Sequence, residues 1–505
     1  MTFLSVLLSL CFTFRLGHAV GLHGFHFRGL EEPEPSIKMN FENITEAWIE
    51  QPVDHFNPRD NRTWSMRYYE NSGHFKKGGP ILIMIGGEWA ISRGFLESGV
   101  MFELACTHNA IMYYTEHRYY GKSRPTKDTS SRNLTYLSVD QALADLAYFI
   151  ERKKKDEDLR NSRVIVFGGS YAGSMATWSR LKYPHLIQGA LASSAPVFAK
   201  ADFYGKETFE KSFLIRILSS SSSEEELLFL EYYEVVTESL RKHSQKCVDE
   251  VKAAFDAVEE LLTVQNGPQK LKEYFNLCDV PNVESPNDVG HLMNILAEQF
   301  GGIVQYDKVQ DGQTKIAACC ENMTASYLGS PLQRLAYLMS TQMKCLKNNY
   351  EKFVKLYRNE EWDAQPDIMR QWFYQTCTEY GYYQTTNSKK SIFGSLFPLS
   401  YFTDICTDLY GDYYNSNFLN TRVERTNTMY GGLRPDLRNV IFTNGDVDPW
   451  HALSVLEDLN PSAVAIFING SSHCRDLYRD SDTDSKDLVR ARSQVRQIIG
   501  SWISS

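Results

Sequence analysis

Residues Val166 to Trp178 read VFGGSYAGSMATW, and they place a serine between glycines where an apolar strand gives way to a helix. The stretch nearly spells G-x-S-x-G, except that Ala172 occupies the closing position and the glycine follows at Gly173. A nucleophile elbow needs this setting, because a sharp strand-to-helix turn lifts a serine Oγ clear of the sheet while the following N–H groups face a developing oxyanion. Ala172 is small enough to let helix and strand approach, so the departure is mild. The same residues would also serve as an ordinary tight turn. A serine at an elbow is inert without a base, so the remaining chain decides between the two readings.

Working outward, ILIMI (Ile81 to Ile85), AIMYYT (Ala110 to Thr115), Val164 to Phe167 and Leu186 to Ser193 read as buried strands. Between them, a helix opens at Ser138 with Gln141 placed for a capping box, and a second runs from Ala172 to Lys182, stopped before Pro184. Such alternation predicts a mainly parallel sheet covered by helices. From Ala201 to Asn359 the pattern turns helical, with a serine loop at Ser219 to Ser223. Strands return at NVIFT (Asn439 to Thr443) and VAIFI (Val464 to Ile468), followed by an amphipathic helix over Leu488 to Trp502. The fold class is therefore α/β, a mainly parallel sheet with a large inserted helical domain. The expected division is a signal peptide over 1–19, core over 40–200, cap over 201–360 and core again over 361–505.

The acid and base follow in the order Ser, Asp, His that this fold uses. NVIFT runs into NGDVDPWH, which offers Asp446 and Asp448 past a strand end, and VAIFI runs into NGSSHC, which places His473 past the next. The pattern does not choose between the two acids. His451 sits too close to the acid loop to form a separate arm, and His117 and His185 precede or adjoin the nucleophile region, so all three read as structural. His473 would take the Ser170 proton and return it to the leaving group, with the aspartate orienting its ring. Tyr171 N–H and Gly87, in the loop after ILIMI, are the oxyanion donors such a site would use.

The bulk properties fit an exported enzyme. Net charge is −9, which argues against nucleic acid as a partner, and the basic run Arg152 to Lys155 is matched at once by Asp156, Glu157 and Asp158. An apolar run from Phe3 to Phe14 is too short to cross a bilayer and leads to a small-x-small cleavage pattern at Gly17 to Ala19. No later stretch reaches the ~20 apolar residues of a membrane helix. Sequons start at Asn43, Asn61, Asn133, Asn322 and Asn469. Beyond Cys11 the chain has nine cysteines, an odd count that predicts disulfides and at least one unpaired or intermolecular thiol. Neither CxxC nor zinc-spaced Cys/His clusters occur, so no metal or other cofactor is expected.

Longer signatures accompany the triad: WIEQPVDHFN (Trp48 to Asn57), GGE (Gly86 to Glu88), EHRYYGKSRP (Glu116 to Pro125), QALAD (Gln141 to Asp145), GGSYAG (Gly168 to Gly173), SSAPV (Ser193 to Val197), YQTCTE (Tyr374 to Glu379) and NGDVDPW (Asn444 to Trp450). Together they resemble the lysosomal Pro-X carboxypeptidase and dipeptidyl peptidase II family of serine peptidases, and look most like its thymus-specific serine protease branch. The resemblance implies an α/β-hydrolase core with a large inserted helical cap, peptide substrates, Ser170 as nucleophile, Asp448 rather than Asp446 as acid, and His473 as base. It also implies a secreted or endolysosomal location and the pairings Cys247 with Cys319 or Cys320, Cys278 with Cys345, and Cys377 with Cys406. Carboxypeptidase, dipeptidyl-peptidase and endopeptidase modes stay open, as does a homodimer. Trp89, where the family often has another glycine, departs from the pattern. Glu88 reads either as a binder of a substrate amine or as an ion-pair partner of Arg118, and Glu379 as facing the cleft or bracing the Cys377 loop. The competing functions are an esterase or lipase of the same fold and a non-catalytic binding protein.

Overall fold

The computed structural model describes residues 30–33, 44–203, 231–310, 312–340, 344–365 and 367–504. The expected signal peptide, Asn43 and the Ser219 to Ser223 loop lie outside them. Eight strands form one sheet: β1 (Ile44–Pro52), β2 (Thr63–Asn71), β3 (Ile81–Ile85), β4 (Ile111–Thr115), β5 (Val164–Gly169), β6 (Gly189–Ser193), β7 (Val440–Gly445) and β8 (Ala463–Ile468). Their order is 1-2-4-3-5-6-7-8; β2 runs antiparallel to both of its neighbours, β1 and β4, and every other pairing is parallel. This is the sheet of an α/β-hydrolase. The parallel strands β3, β4, β5 and β6 are buried along their whole length, as strands covered on both faces must be.

Helices α1 (Val100–His108), α2 (Val139–Lys153) and α3 (Tyr171–Lys182) connect these strands, so the expected boundaries hold within a few residues. Between β6 and β7 lies the helical insertion, which includes α4 (Tyr232–His243), α5 (Gln245–Thr263), α6 (Pro286–Gln305), α7 (Lys315–Thr324) and α8 (Pro331–Met339). Three further helices, Met369–Gln375, Leu399–Tyr410 and Ser416–Tyr430, precede the return of the sheet at Val440. The last of them packs on the core, where Tyr430 stacks on Trp178 with ring centroids 4.6 Å apart. Helix α9 (Lys486–Ser504) closes the described chain.

Disulfides Cys247–Cys320 and Cys278–Cys345 staple the insertion, and Cys377–Cys406 joins two of the helices before β7. The choice left open at Cys247 falls on Cys320. Loops of 73 and 67 residues make the first two worth about 4 kcal/mol each in a chain-entropy account. Cys319 and Cys474 are buried thiols and Cys106 an exposed one.

Several of the sequence signatures meet in one buried ion cluster rather than at a site. Arg118 donates to both oxygens of Asp145 at 2.6 and 2.8 Å and to the carbonyls of Val53 and Tyr136. His55 bonds the same carboxylate at 2.7 Å, and Gln51 donates to the Asp145 carbonyl. Burial would raise the Asp145 pKa, but Arg118 outweighs it and holds the carboxyl below its usual range. The capping box expected at α2 forms only by half: Ser138 accepts from Gln141 N, while the Gln141 side chain serves His55 N and Asp54 instead. Arg118→Ala strands a buried carboxylate and is expected to cost about 3–5 kcal/mol, read as a lower urea midpoint.

Candidate active site

The elbow forms as the sequence implies. Ser170 follows β5 with φ 59° and ψ −131°, a conformation that a non-glycine residue holds only when its surroundings impose it. Its N–H donates to the Ser193 carbonyl of β6 at 2.9 Å, and α3 begins at Tyr171. A side chain at Gly168 would stand 2.0 Å from the Ala172 carbonyl oxygen, and one at Gly173 would stand 2.8 Å from that of Ser193. Ala172 meets no such limit, since its Cβ is accommodated. Thus the glycine displaced by one position still has work: it lets α3 approach the end of β6.

His473 and Asp448 come together at the ends of the neighbouring strands. His473 Nδ1 lies 2.9 Å from Asp448 Oδ2, with both side chains buried. Asp448 also caps the short helix that follows it, its Oδ1 accepting from Trp450 N. Asp446 is used differently: it accepts from Gly470 N at 2.6 Å and pairs with Lys242 of α4 at 2.9 Å, bracing the loop against the insertion. Among the described residues His473 Nε2 has no hydrogen-bond partner, although it is buried. Burial, the largest single influence, disfavours the imidazolium, but the Asp448 carboxylate and Cys474 together outweigh it and hold the His473 pKa well above 6.5.

Short bonds tie the histidine loop to the ends of β6 and β7, and β6 in turn holds Ser170 N through the Ser193 carbonyl. Cys474 N donates to Ser194 Oγ at 2.9 Å, and Ser194 N donates to the Thr443 carbonyl of β7 at 2.7 Å. The buried Asp476 carboxylate accepts from Ser193 Oγ at 2.5 Å and Thr443 Oγ1 at 2.7 Å, linking the loop to β6 and β7.

The other histidines are accounted for as core or surface residues. His117 bonds Tyr171 Oη at 3.0 Å and the Arg118 carbonyl, and burial lowers its pKa to about 4. His451 bonds the Asp448 carbonyl at 2.7 Å with its pKa lowered, and His185 is exposed.

Tyr171 is the first residue of α3, so its N–H lies beyond the reach of intrahelical acceptors. Gly87 lies beneath the folded-back Trp89 ring, whose Nε1 donates to Tyr114 Oη at 2.8 Å. Trp89 is therefore a packed support for the loop. The Glu88–Arg118 ion pair does not form, because Asp145 holds the guanidinium. Glu379 accepts from Val139 N at 2.9 Å and from Gln375 Nε2 at 3.2 Å, joining α2 to the helix before β7. Of the described sequons, Asn61 and Asn469 are exposed, whereas Asn133 and Asn322 are half-buried and Asn133 Nδ2 donates to Asp128 at 2.6 Å.

Gln305 carries no local signal in the sequence. This buried residue ends α6, and its carbonyl accepts from His473 N at 3.0 Å while its Oε1 accepts from Trp450 Nε1 and Tyr232 Oη, each at 3.0 Å. One residue of the insertion thus grips both the acid loop and the base loop. The Tyr306 ring stands edge-on to His473 with centroids 5.8 Å apart. Gln305→Leu leaves two buried donors unsatisfied and is expected to lower kcat about tenfold or more, measured by steady-state kinetics. Its sequence signal is absent because the contact joins segments far apart in the chain.

Comparison with known proteins agrees with this arrangement. The sequence model of the serine carboxypeptidase S28 family matches residues 51–495. The thymus-specific serine protease of Mus musculus is 33% identical over 474 residues, covering 91% of this chain and 87% of that one. The lysosomal Pro-X carboxypeptidase of Homo sapiens is 29% identical over 480 residues, covering 93% and 90%. A solved proline iminopeptidase of Mycobacterium smegmatis superposes with a TM-score of 0.36 at 11% identity, covering 90% of this chain and 99% of that one, a likeness too slight to add to the sheet order. With a family match that spans both halves of the sheet and the insertion between them, the chain belongs to the serine carboxypeptidase S28 family of serine peptidases.

Proposed function

We propose that the protein hydrolyses peptide bonds through a Ser170–His473–Asp448 triad and an acyl-enzyme intermediate. The observation that carries this reading is the buried His473–Asp448 pair at 2.9 Å, its second imidazole nitrogen unpartnered, on a loop bonded to Ser194, the residue after the Ser193 carbonyl that accepts from Ser170 N. Asp448 fixes the proton on Nδ1 and leaves Nε2 as the base. His473 takes the Ser170 proton as Oγ attacks the carbonyl, and Tyr171 N–H and Gly87 N–H hold the oxyanion. The leaving amine then receives the proton from His473, and water repeats the sequence to release the acid. None of these steps calls for a cofactor.

Relatives named for Pro-X cleavage support a proline-directed exopeptidase. Trp450, two residues past Asp448, packs with Phe203, Tyr232 and Tyr382 at centroid distances of 5.5–5.7 Å, which gives an apolar wall beside the acid. Three disulfides support passage through an oxidising secretory compartment, and Asn61 and Asn469 are the described sequons best exposed for a glycan. The deciding experiment is a peptide library with prolines at terminal and internal positions, read by mass spectrometry. Release of products at X-Pro or Pro-X bonds supports the reading, and no cleavage of any peptide across pH 5–8 contradicts it.

A further inference from the structure

Glu88 follows Gly87 in the loop after β3 and is 2% exposed, yet its Oε2 has no hydrogen-bond partner. It sits close enough to His473 for the two charges to act on each other, and Tyr120, Tyr171 and Tyr306 also feel its charge. Arg118, the nearest basic residue in the motif that follows, is consumed by Asp145 and two backbone carbonyls. No described cation forms an ion pair with Glu88. A buried carboxyl with one oxygen unpartnered and no cation paired to it is costly as the anion, because its own N–H is a weak substitute for a countercharge. Glu379, the other buried carboxyl singled out in the sequence, is unlike it in having both oxygens engaged.

From this placement we infer that Glu88 is the anchor for the free α-ammonium group of the peptide substrate, so that the enzyme removes residues from N-termini. The inference rests on the triad reading above and adds the substrate's end to it. An ammonium entering beside His473 supplies the countercharge that the protein omits, and a bond to a charged, desolvated carboxylate contributes far more than one at the surface. Burial raises the Glu88 pKa to about 7, countered weakly by its own N–H and by His473. The carboxylate therefore forms as pH rises through about 7, and ammonium affinity rises with it until the α-amine itself loses its proton near ~8.

The test compares matched peptides with free and N-acetylated ends, in sets whose proline-flanked bond lies one, two or three residues from the N-terminus. The wild type is expected to favour the free amine by about 100-fold or more in kcat/KM for at least one set, and Glu88→Gln to bring that ratio close to one. Because both peptides need His473 equally, the ratio isolates Glu88 from the base. Equilibrium binding of the same pairs to Ser170→Ala protein, with and without Glu88→Gln, gives the ratio without turnover. A preference for acetylated or C-terminally free peptides, or a ratio that Glu88→Gln leaves unchanged, overturns the inference. Fluorophosphonate labelling keeps the two readings apart: labelled Ser170 with no amine preference removes only the role of Glu88, whereas unlabelled Ser170 removes the triad.

Discussion

Ser170→Ala is expected to give a folded protein whose peptide hydrolysis falls by about a millionfold, to the level of the solvent reaction assisted by binding alone. The loss is this large because nucleophile and base act as a unit, and a base with no hydroxyl to deprotonate contributes nothing. Stability should change little. Alanine keeps the Cβ and so the same backbone demand at φ 59°, and the N–H bond to the Ser193 carbonyl does not involve the side chain. The measurement is hydrolysis of the best library peptide beside a thermal melt, with the melting temperature within a few degrees of wild type. A melt displaced by tens of degrees would instead assign Ser170 a structural role.

Asp448→Asn is expected to lower kcat by about 10⁴ while keeping the loop in place. The amide oxygen can still accept from Trp450 N, as Oδ1 does at 3.1 Å, so the cap survives. Facing His473, however, the amide no longer fixes the tautomer or compensates the imidazolium. The pH profile carries a second signature. Because Asp448 and Cys474 together outweigh the burial that lowers the His473 pKa, the wild-type acid limb of kcat/KM should lie above 6.5, with activity lost as pH falls and the imidazole protonates. Removing the carboxylate leaves Cys474 alone against burial, so the residual activity of the variant should persist to lower pH. An acid limb that stays where it was would show that another group sets it.

Much of the fold was legible because its parallel strands are continuous apolar runs, and ILIMI or VIVF can hardly be placed elsewhere than inside. β1 was not legible as a strand: its residues ITEAWIEQP are largely exposed or half-buried, as suits an antiparallel edge, and carry a weak pattern. Order and spacing made Ser170 and His473 readable as candidates, since this fold sets its chemistry at successive strand ends. Asp446 and Asp448 could not be separated by that argument, because both follow β7 and only their partners, Lys242 and His473, tell them apart. Gln305 and the Arg118–Asp145 cluster join segments remote in sequence, so no local pattern announces them. The Glu88–Arg118 pair failed for the same reason: proximity in motif order does not reveal that Asp145 is the nearer carboxylate.

The central claim, that Ser170 is an activated nucleophile, is tested most directly by treating the wild-type protein with a fluorophosphonate and locating the adduct by peptide mass spectrometry. One adduct on Ser170, formed faster as pH rises through the His473 titration and absent from Asp448→Asn on the same timescale, is the predicted result. An adduct on another serine, or none under conditions in which the protein cleaves peptides, would contradict it.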